Sequence, residues 1–458
     1  MISRLTIALS KLAGSTSRLL RRGGGDSLPG MVAERCDPRL AARLAAQLPK
    51  GVIIVTGTNG KTTTTKLLGE MLTAAGERIV TNPTGSNLKQ GIVTALIAGC
   101  DLRGRLRGNP TIGLFEVDEA ALASVTAVVG ARHILVTNLF RDQLDRYGEL
   151  ESTALLIGQG IQGTGARIFL NADDPMVVSL AQYVPPGDVT YFGVQRGPKG
   201  DPVRYRTVSD SDRCPVCDDA LTFTLTFYGH IGHYHCDRGH FVRPEPSVAV
   251  CDVVRADADG SAFDVSIDGV VHRAEMPLGG LYNVYNAVAA LAVATHVGVP
   301  PATASRSLTS ATPALGRLER FTGRNGDLLM ILVKNPAGFT QVLETFLAGQ
   351  DRPKILIGIN DLAADGRDVS WLWDVPFEHL VDSNPYIVVC GTRAADMALR
   401  LHYAGVQAIV APSLHAGLTA LRAGLTAGET GYVLPTYTAM VQLRRELAHL
   451  GKVEITAA

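Results

Sequence analysis

The stretch V-T-G-T-N-G-K-T-T-T at residues 55–64 follows a short apolar run and precedes a helical pattern. A buried strand, a glycine turn and a helix N-terminus bring backbone N–H groups and the positive end of a helix dipole to one point, where they stabilise an anion. Lys61 would add a full charge for the outer phosphates of a nucleotide such as ATP, and the Thr62 hydroxyl would reach the accompanying Mg²⁺. The stretch therefore predicts a phosphate loop, and a strand-to-helix turn without a ligand is the alternative. The predicted nucleotide contacts in the loop are Thr58, Asn59, Gly60, Lys61, Thr62 and Thr63.

The composition is that of an ordinary α/β protein. The 458 residues suffice for two or three domains, and 43 Lys and Arg residues balance 43 Asp and Glu residues. Without a basic excess, no global field favours a nucleic-acid partner. Seven cysteines in a chain of this length do not form a disulfide framework. We therefore expect a cytoplasmic protein that does not bind nucleic acid.

Residues 1–22 alternate apolar and basic positions without an uninterrupted apolar core. A membrane-spanning helix needs about 20 apolar residues, and a signal peptide needs a longer apolar stretch than is present. An amphipathic helix with a basic face could contact an anionic membrane surface. A helix packed on the next domain, with its basic side in solvent, is an equally good interpretation. The basic positions are Arg4, Lys11, Arg18, Arg21 and Arg22.

Apolar strands alternate with helical patterns after the loop. The strand at residues 112–119 ends in carboxylates, and Glu116 lies inside its apolar run. A carboxylate at the carboxyl end of a strand beside a phosphate loop can hold Mg²⁺ directly or through water, so Glu116 joins Thr62 as a predicted magnesium ligand. A solvated acidic strand end is the alternative. With further strands at 133–138 and 166–170, the pattern predicts a doubly wound, mostly parallel α/β sheet.

A second open α/β unit, of the Rossmann-like type, is predicted in the C-terminal part. Its short apolar strands cover residues 328–333, 354–359, 386–390, 408–410 and 431–434, with helices at 394–403 and 414–423. The predicted divisions are an N-terminal helical lead at 1–48, an ATP-binding domain at 49–314 and a C-terminal domain at 315–458.

Three cysteines inside the first domain have the spacing of a zinc ribbon. C-P-V-C at residues 214–217 is a tight knuckle, and a third cysteine follows at residue 236. The ribbon pattern places a fourth cysteine three residues later, where Gly239 stands, and the neighbouring histidine could complete a Cys₃His tetrahedron instead. We predict a zinc-ribbon-like insertion at 205–245, and a metal-free remnant is the alternative. The predicted zinc ligands are Cys214, Cys217, Cys236 and His240, with His235 and His233 as alternates.

Several of these segments together resemble the central domain of the Mur ligase family. They are T-G-T-N-G-K-T in the loop, the strand-end glutamate, T-N-L-F-R-D-Q-L-D-R at 137–146 and N-A-D-D-P at 171–175. Members of this family use ATP to activate a carboxylate as an acyl phosphate, which an amine then attacks. The resemblance implies an ATP-dependent ligase with an α/β fold.

Two later segments extend the resemblance. Residues 280–287 are similar to the family's H-N-x-x-N-A segment near the adenine, with Tyr282 in place of histidine, which implies a nucleotide contact for Asn283. Residues 316–320 resemble the hinge motif into the third domain, which implies a nucleotide contact for Arg317.

The chain departs from the peptidoglycan-precursor ligases of the family in three places. The roughly fifty residues before the loop leave no room for a nucleotide-sugar domain, Gln143 stands where several members have a magnesium-binding histidine, and residues 333–338 replace a D-x-A-H-N-P type segment. These departures match one branch of the family, the synthetase subunits that amidate lipid II. Further similarity to that branch lies at residues 22–25, 332–338, 365–374 and 434–440.

The branch implies a specific reaction and a partner. Its members amidate the α-carboxyl of D-glutamate in lipid II to D-isoglutamine, with ammonia from a separate GatD-type glutamine amidotransferase subunit. Lys61 and Glu116 would then act at the transferring phosphoryl group. A carboxylate in the acidic loop at 360–374 would orient the histidine of the glutaminase, with Asp368 as first choice and Asp365 as second. Such a protein would work in the cytoplasm, at or near the inner face of the membrane.

Two other functions stay open on the sequence. A Mur-type ligase could instead add an amino acid to a folate-like or peptide carboxylate, and it would then turn over without a partner. A nucleotide-regulated scaffold would bind a partner through the zinc ribbon and catalyse little.

Overall fold

The computed structural model describes residues 2–19, 27–82, 85–142, 150–198, 210–313, 317–323, 326–449 and 455–457. In a few of these, at helix and strand ends and at residue 317, only the backbone is described. This part of the chain forms two α/β units that follow one another in sequence, each built on its own sheet, and a separate two-stranded hairpin inserted in the first.

Three helices begin the first unit: α1 (Ile2–Leu19), α2 (Leu28–Cys36) and α3 (Leu40–Ala45). Their buried residues, among them Ile7 and Leu44, share one hydrophobic core with the following strand. One turn after Ile7, on the same face of α1, Lys11 Nζ donates to the carbonyl of Cys100 at 2.5 Å. The N-terminal helix therefore packs on the domain, as one of its two interpretations proposed. No helix in the described residues is long and apolar enough to cross a membrane.

Strands and helices then alternate as predicted. They are β1 (Val52–Thr56), α4 (Lys61–Ala74), β2 (Ile79–Thr81), α5 (Lys89–Gly99), β3 (Ile112–Glu116), α6 (Leu122–Val129), β4 (Ala131–Val136), α7 (Leu150–Ile161), β5 (Arg167–Asn171), α8 (Pro175–Ser179) and β6 (Val189–Val194). All five residues of β1 and of β3 are buried, as befits strands covered by helices on both faces. In the order β2-β3-β1-β4-β5-β6, every neighbouring pair is parallel, which confirms the parallel α/β sheet.

The sheet continues beyond the predicted strands. Strand β9 (Val248–Asp257) pairs parallel to β6, and β10 (Gly260–Ile267) and β11 (Val270–Met276) add antiparallel neighbours at that edge. Helices α9 (Leu281–His296) and α10 (Pro301–Ser307) follow. Helix α9 is buried along most of its length in the core beneath the sheet.

The inserted hairpin consists of β7 (Leu221–Tyr228) and β8 (Ile231–Cys236), paired antiparallel and separate from the large sheet. At its base, the three clustered cysteines pack with Phe223 and Phe241 in a small core of their own. Its tip enters the main core of the first unit through Tyr228 and Ile231. The predicted insertion begins at 205, but residues 199–209 lie outside the described part.

The second unit has the open parallel sheet that the C-terminal pattern predicts. Its elements are β12 (Arg317–Phe321), β13 (Asp327–Ile331), α11 (Pro336–Val342), β14 (Lys354–Gly358), β15 (Tyr386–Cys390), α12 (Ala394–Tyr403), β16 (Ile409–Val410), α13 (Leu414–Ala423), β17 (Thr430–Pro435), α14 (Tyr437–His449) and β18 (Ile455–Ala457). The strand order is β16-β15-β14-β17-β13-β12-β18. Strands β12 and β18, which the sequence pattern did not indicate, form an antiparallel edge.

Candidate active site

The phosphate loop runs from the end of β1 into the first turn of α4. Gly60 has φ of 85°, in the left-handed region that favours glycine, and a Cβ there would lie 2.0 Å from Asn286 Oδ1. On the other side of the loop, the N–H of Thr58 donates to the carbonyl of Asn138 and the N–H of Asn59 donates to its side-chain oxygen, both at 2.9 Å. The loop is therefore held in shape between helix α9 and the end of β4.

Lys61 is buried at the N-terminus of α4, where its Nζ lies 2.7 Å from Glu119 Oε1 and 2.6 Å from the carbonyl of Gly57. Burial alone lowers the pKa of Lys61, but the negative charges of Glu119, Glu116 and Asp118 outweigh it and hold this pKa above its usual value. The ammonium group is thus charged at the point where the loop would bind a phosphate. Glu119 was not among the predicted site residues.

Two predicted magnesium ligands lie at the same edge of the sheet. Glu116 is the last residue of β3 and stands in register with Val55 of β1, directly before the loop. Its backbone is fixed by Asn82, whose side chain binds both its N–H (3.0 Å) and its carbonyl (2.9 Å). Thr62 is half-buried in the first turn of α4, next to Lys61. Hydroxyl and carboxylate oxygens at this edge are ligands that suit Mg²⁺.

A cleft lies between the loop and the second unit and is lined by residues of both units. Its polar lining consists of Asn59, Gly60, Thr63, Asn138, Asn283, Asn286, Lys334, Asn335 and Gln341. Its apolar lining includes Phe140, Tyr228, Leu278, Tyr282, Pro313, Leu318, Ile331, Leu332, Ala337 and Val342. A cleft next to a phosphate loop that combines apolar walls with several polar side chains suits a nucleotide.

Asn283 belongs to a buried amide network that ties α9 to the loop. Its Nδ2 donates to the carbonyl of Gly279 at 2.7 Å, and its Oδ1 accepts from Asn286 Nδ2 at 3.1 Å. Asn286 Oδ1 in turn accepts from the Thr64 hydroxyl at 3.2 Å. Of the other implied positions, Arg317 begins β12 but its side chain lies outside the described part, as does Gln143.

The second unit reaches the loop through the segment at 333–338. Lys334 Nζ lies 2.6 Å from Asp142 Oδ2 and 3.1 Å from the carbonyl of Thr58. The amide of Asn335 faces that of Asn59, with Nδ2 to Oδ1 at 3.0 Å. Lys334 and Asn335 therefore stand at the mouth of the cleft, and no sequence prediction had assigned them to the site.

The three cysteine sulfurs lie within 4.8 Å of one another, with Cys217 Sγ and Cys236 Sγ 3.6 Å apart. Two thiolates on one tetrahedral zinc, with Zn–S bonds of about 2.3 Å, are about 3.8 Å apart, whereas bonded disulfide sulfurs are about 2.05 Å apart. The spacing of Cys214, Cys217 and Cys236 therefore fits a shared metal.

The predicted fourth ligand is not brought to these sulfurs. Among the described residues no histidine or carboxylate joins the group, and His240 is exposed. The two alternates have other neighbours. His233 Nε2 lies 2.8 Å from the carbonyl of Val194, and His235 Nε2 lies 3.3 Å from Asp237 Oδ1.

The two candidate carboxylates of the acidic loop after β14 differ in burial and in hydrogen-bond partners. Asp365 is buried and accepts from both the N–H (2.8 Å) and the hydroxyl of Thr438, so it caps helix α14. Asp368 is half-buried, and its Oδ1 accepts from the N–H of Ser370 at 2.8 Å. Asp368 is thus the more accessible of the two.

Two family models match the chain: the Mur ligase middle domain at residues 55–230 and the MurT ligase C-terminal domain at 332–440. The MurT subunit of lipid II isoglutaminyl synthase (glutamine-hydrolyzing) from Staphylococcus aureus (strain COL) is 33% identical over 406 residues, 88% of each chain. The same subunit from Streptococcus pneumoniae (strain ATCC BAA-255 / R6) is 33% identical over 456 residues, 97% of each chain. The chain belongs to the MurT family of Mur ligases.

Solved structures support the Mur ligase fold. A pseudomurein peptide ligase type C from Methanothermus fervidus superposes with a TM-score of 0.71 at 20% identity, covering 89% of this chain and 80% of that one. Mycobacterium tuberculosis folylpolyglutamate synthase complexed with ADP superposes with a TM-score of 0.63 at 15% identity, covering 90% of this chain and 93% of that one. At such identities these structures show the fold alone.

Membership of the MurT family confirms the prediction that the chain is an ATP-dependent ligase. Mur ligases use ATP and Mg²⁺, and the residues present fit both. Lys61 is charged and buried at the loop, and the loop turns at Gly60, whose φ of 85° favours glycine. Glu116 ends the neighbouring strand in register with Val55, and Thr62 follows Lys61 in the first turn of α4.

Proposed function

We propose that this MurT family member amidates the α-carboxyl of D-glutamate in lipid II to D-isoglutamine, with ammonia released from glutamine by a GatD-type amidotransferase subunit. The observation that carries the proposal is the 33% identity across 97% of both chains to a subunit named lipid II isoglutaminyl synthase. That name also specifies glutamine hydrolysis by the enzyme to which the relative belongs. A function conserved with the relative accounts for similarity that extends through both units.

Amidation of a carboxylate requires that its oxygen first be converted to a good leaving group. Ammonia does not displace oxide from a carboxylate, but it displaces phosphate from an acyl phosphate, and bound ATP with Mg²⁺ supplies that phosphoryl group. Lys61 and the loop amides would offset the charge of the phosphoryl oxygens, and Thr62 and Glu116 would hold the metal. No covalent nucleophile of the chain is required. Its residues would bind the substrates, orient the carboxylate and keep water from the acyl phosphate.

The glutaminase is proposed to dock beside the acidic loop. Trp373 and Tyr403 are 50% and 70% exposed and meet edge-on at 5.5 Å, which forms an aromatic surface of the kind enriched at interfaces. A glutaminase with a cysteine and a histidine needs a group that orients the histidine. Asp368 would supply it across the interface, because Asp365 is engaged by Thr438.

Two further assignments belong to this proposal. Cys214, Cys217 and Cys236 would bind a structural zinc, with sulfur spacing as the supporting observation, and His240 would complete the site after a shift of the turn at 237–240. Because lipid II is anchored in the membrane, the enzyme would act in the cytoplasm at the inner membrane face.

The test is reconstitution with the candidate glutaminase. The co-purified complex should convert one carboxyl of lipid II to an amide, detected by mass spectrometry, only when ATP is present together with a nitrogen donor, either glutamine or an ammonium salt. An amino-acid ligase would instead join an amino acid to its substrate without the partner, and a scaffold would form no product. If the amide forms neither with glutamine nor with ammonia as donor, the proposal is refuted.

A further inference from the structure

The inserted hairpin reaches the nucleotide cleft with its tip. Tyr228, the last residue of β7, lines the cleft together with Asn59 and Asn283. Its ring stacks on Phe140, with centroids 6.0 Å apart and planes at 19°, and meets Tyr285 edge-on at 5.7 Å. Only 8% of Tyr228 is exposed, so the ring is fixed by its neighbours where it borders the cleft.

The turn after Tyr228 is shaped to fit against the nucleotide-binding domain. Gly229 has φ of 55°, and a Cβ there would lie 3.0 Å from the Phe140 ring. His230 is 1% exposed, its ring lies 4.6 Å from that of Phe140, and its Nε2 is 3.5 Å from Asp174 Oδ1. The tip of the hairpin therefore packs on the turn that follows β5.

A buried polar network holds this contact from the side of β8. The N–H of Gly232 donates to the carbonyl of Asp173 at 2.8 Å. The Asp173 carboxylate accepts from the Tyr285 hydroxyl and from Arg243 Nε, both at 2.6 Å. Helix α9, the hairpin and the turn after β5 are thus joined around one carboxylate, and the position of Tyr228 is set by that junction.

The aromatic pair begins next to the phosphate loop. The N–H of Phe140 donates to the Thr58 hydroxyl at 3.1 Å, and Phe140 and Tyr228 both line the cleft that begins at the loop. A ligand that binds the loop with its phosphates and fills the cleft would therefore contact these two rings. Besides these two rings, the cleft lining includes the apolar side chains of Leu278, Leu318 and Ile331. A nucleobase is the flat, largely apolar part of such a ligand, and aromatic rings bind bases of any kind through their faces.

We propose that Tyr228 is a nucleobase-contacting residue, supplied to the ATP site by the inserted hairpin. This inference rests on the nucleotide site of the proposed function, but not on lipid II or the glutaminase. The inserted hairpin is then part of the nucleotide site. One end of it carries the three cysteines, and the other end carries the residue that contacts the nucleobase.

Binding of two probes tests the inference: ATP with Mg²⁺, and tripolyphosphate with Mg²⁺, which has the phosphates without the base. Tyr228→Ala should raise the Kd for ATP about 5- to 100-fold, as loss of one base–aromatic contact does, and leave the Kd for tripolyphosphate unchanged. Tyr228→Phe should bind both probes like the wild type. Phe223→Ala is the matched control, because Phe223 packs on Tyr234 at the base of the same hairpin and does not line the cleft.

Three outcomes would overturn the inference: an unchanged Kd for ATP in Tyr228→Ala, an equal loss for both probes, or a loss in Phe223→Ala of the same size. If Tyr228→Ala does not fold, Tyr228→Leu preserves the apolar volume without the ring, and ATP affinity equal to wild type in that variant would overturn it too. A wild-type chain that binds ATP but fails to amidate lipid II would refute the proposed function and leave this inference standing.

Discussion

Lys61 is an ammonium group buried at the positive end of a helix dipole, so its charge depends on the acidic side chains around it. Glu119 is the closest, with Nζ to Oε1 at 2.7 Å, and Glu116 and Asp118 add to its effect. A bound polyphosphate would bring further negative charge to the same ammonium group. The acidic residues after β3 therefore keep Lys61 charged in the absence of nucleotide.

Replacing Lys61 with alanine should abolish product formation and weaken ATP binding, because the loop loses its only full positive charge in the described part of the chain. It should also destabilise the fold by about 3 kcal/mol, since Glu119 is left buried without its counter-ion. The double variant Lys61→Ala with Glu119→Gln should recover the thermal stability but not the activity. Lys50→Ala, at an exposed lysine paired with Glu77, is the control. Amidation by Lys61→Ala at the wild-type rate would contradict the assignment.

Asp368→Ala should abolish amidation with glutamine and leave amidation with added ammonium salt intact, because the proposed role of Asp368 lies in the partner's active site. Both rates, and the Kd for ATP, are measured on the reconstituted complex. Asp365→Ala is the matched control: it removes the cap of α14, costs about 1 kcal/mol of stability and lowers both rates together. A glutamine-dependent rate that survives in Asp368→Ala would exclude this residue.

For single residues, the sequence indicated which side chains belong to the site better than it indicated which of them contact each other. Lys61 and Glu116 could be chosen because a phosphate loop and a strand end fix where their backbones lie. Glu119 stands in the same acidic run, but its contact with Lys61 depends on the 3₁₀ turn at Glu119–Ala121, which Asp118 caps by accepting from the N–H of Ala120 at 3.2 Å. A single turn of this kind leaves no periodic signal in the sequence.

Among the elements, the predictable ones have continuous apolar runs. Strands β1 and β3 are buried on both faces and stood out in the sequence, whereas β11 has mainly exposed and half-buried positions and did not. The signal that could have found β10 and β11 is Asp268-Gly269 between them, with φ of 51° and 78°, as a two-residue hairpin turn requires. The inserted hairpin was indicated by its cysteines, but nothing in their spacing showed that its opposite end enters the nucleotide cleft.

Removal of the proposed zinc should destabilise the inserted hairpin. If zinc is bound, the purified chain contains about one zinc per molecule, and Cys236→Ser loses the metal and unfolds at a lower temperature, because the sulfurs form part of the small core at the hairpin base. Zinc content is measured by elemental analysis and stability by thermal unfolding. Cys251→Ser, at a half-buried cysteine outside the cluster, should change neither. Wild-type protein that folds fully without zinc, and is unaffected by a chelator, would contradict the metal site.

Across the whole molecule, the nucleotide cleft is formed by residues far apart in the chain. Asn59 and Asn335, whose amides meet at 3.0 Å, are 276 positions apart. The sequence indicated both units separately, because each has its own strand and helix pattern. It could not indicate how their surfaces meet, since that depends on side-chain shape and charge at the mouth of the cleft, and the segment at 333–338 matched only a variant of the usual family pattern.

The contact between the units should contribute directly to nucleotide binding. Lys334 Nζ, half-buried and 2.6 Å from Asp142 Oδ2, links the second unit to the first beside the loop. Lys334→Ala and Asp142→Ala should each weaken ATP binding. The loss of binding free energy in the double variant should be smaller than the sum of the two single losses, with a coupling energy of about 0.5–2 kcal/mol. Titration of the four proteins with ATP measures this cycle. The surface pair of Arg273 on β11 and the half-buried Asp264 on β10, at 3.1 Å, provides a control cycle with coupling near zero. Strictly additive effects at Lys334 and Asp142 would mean that the two units bind the nucleotide independently, and that their contact does not set the affinity of the cleft.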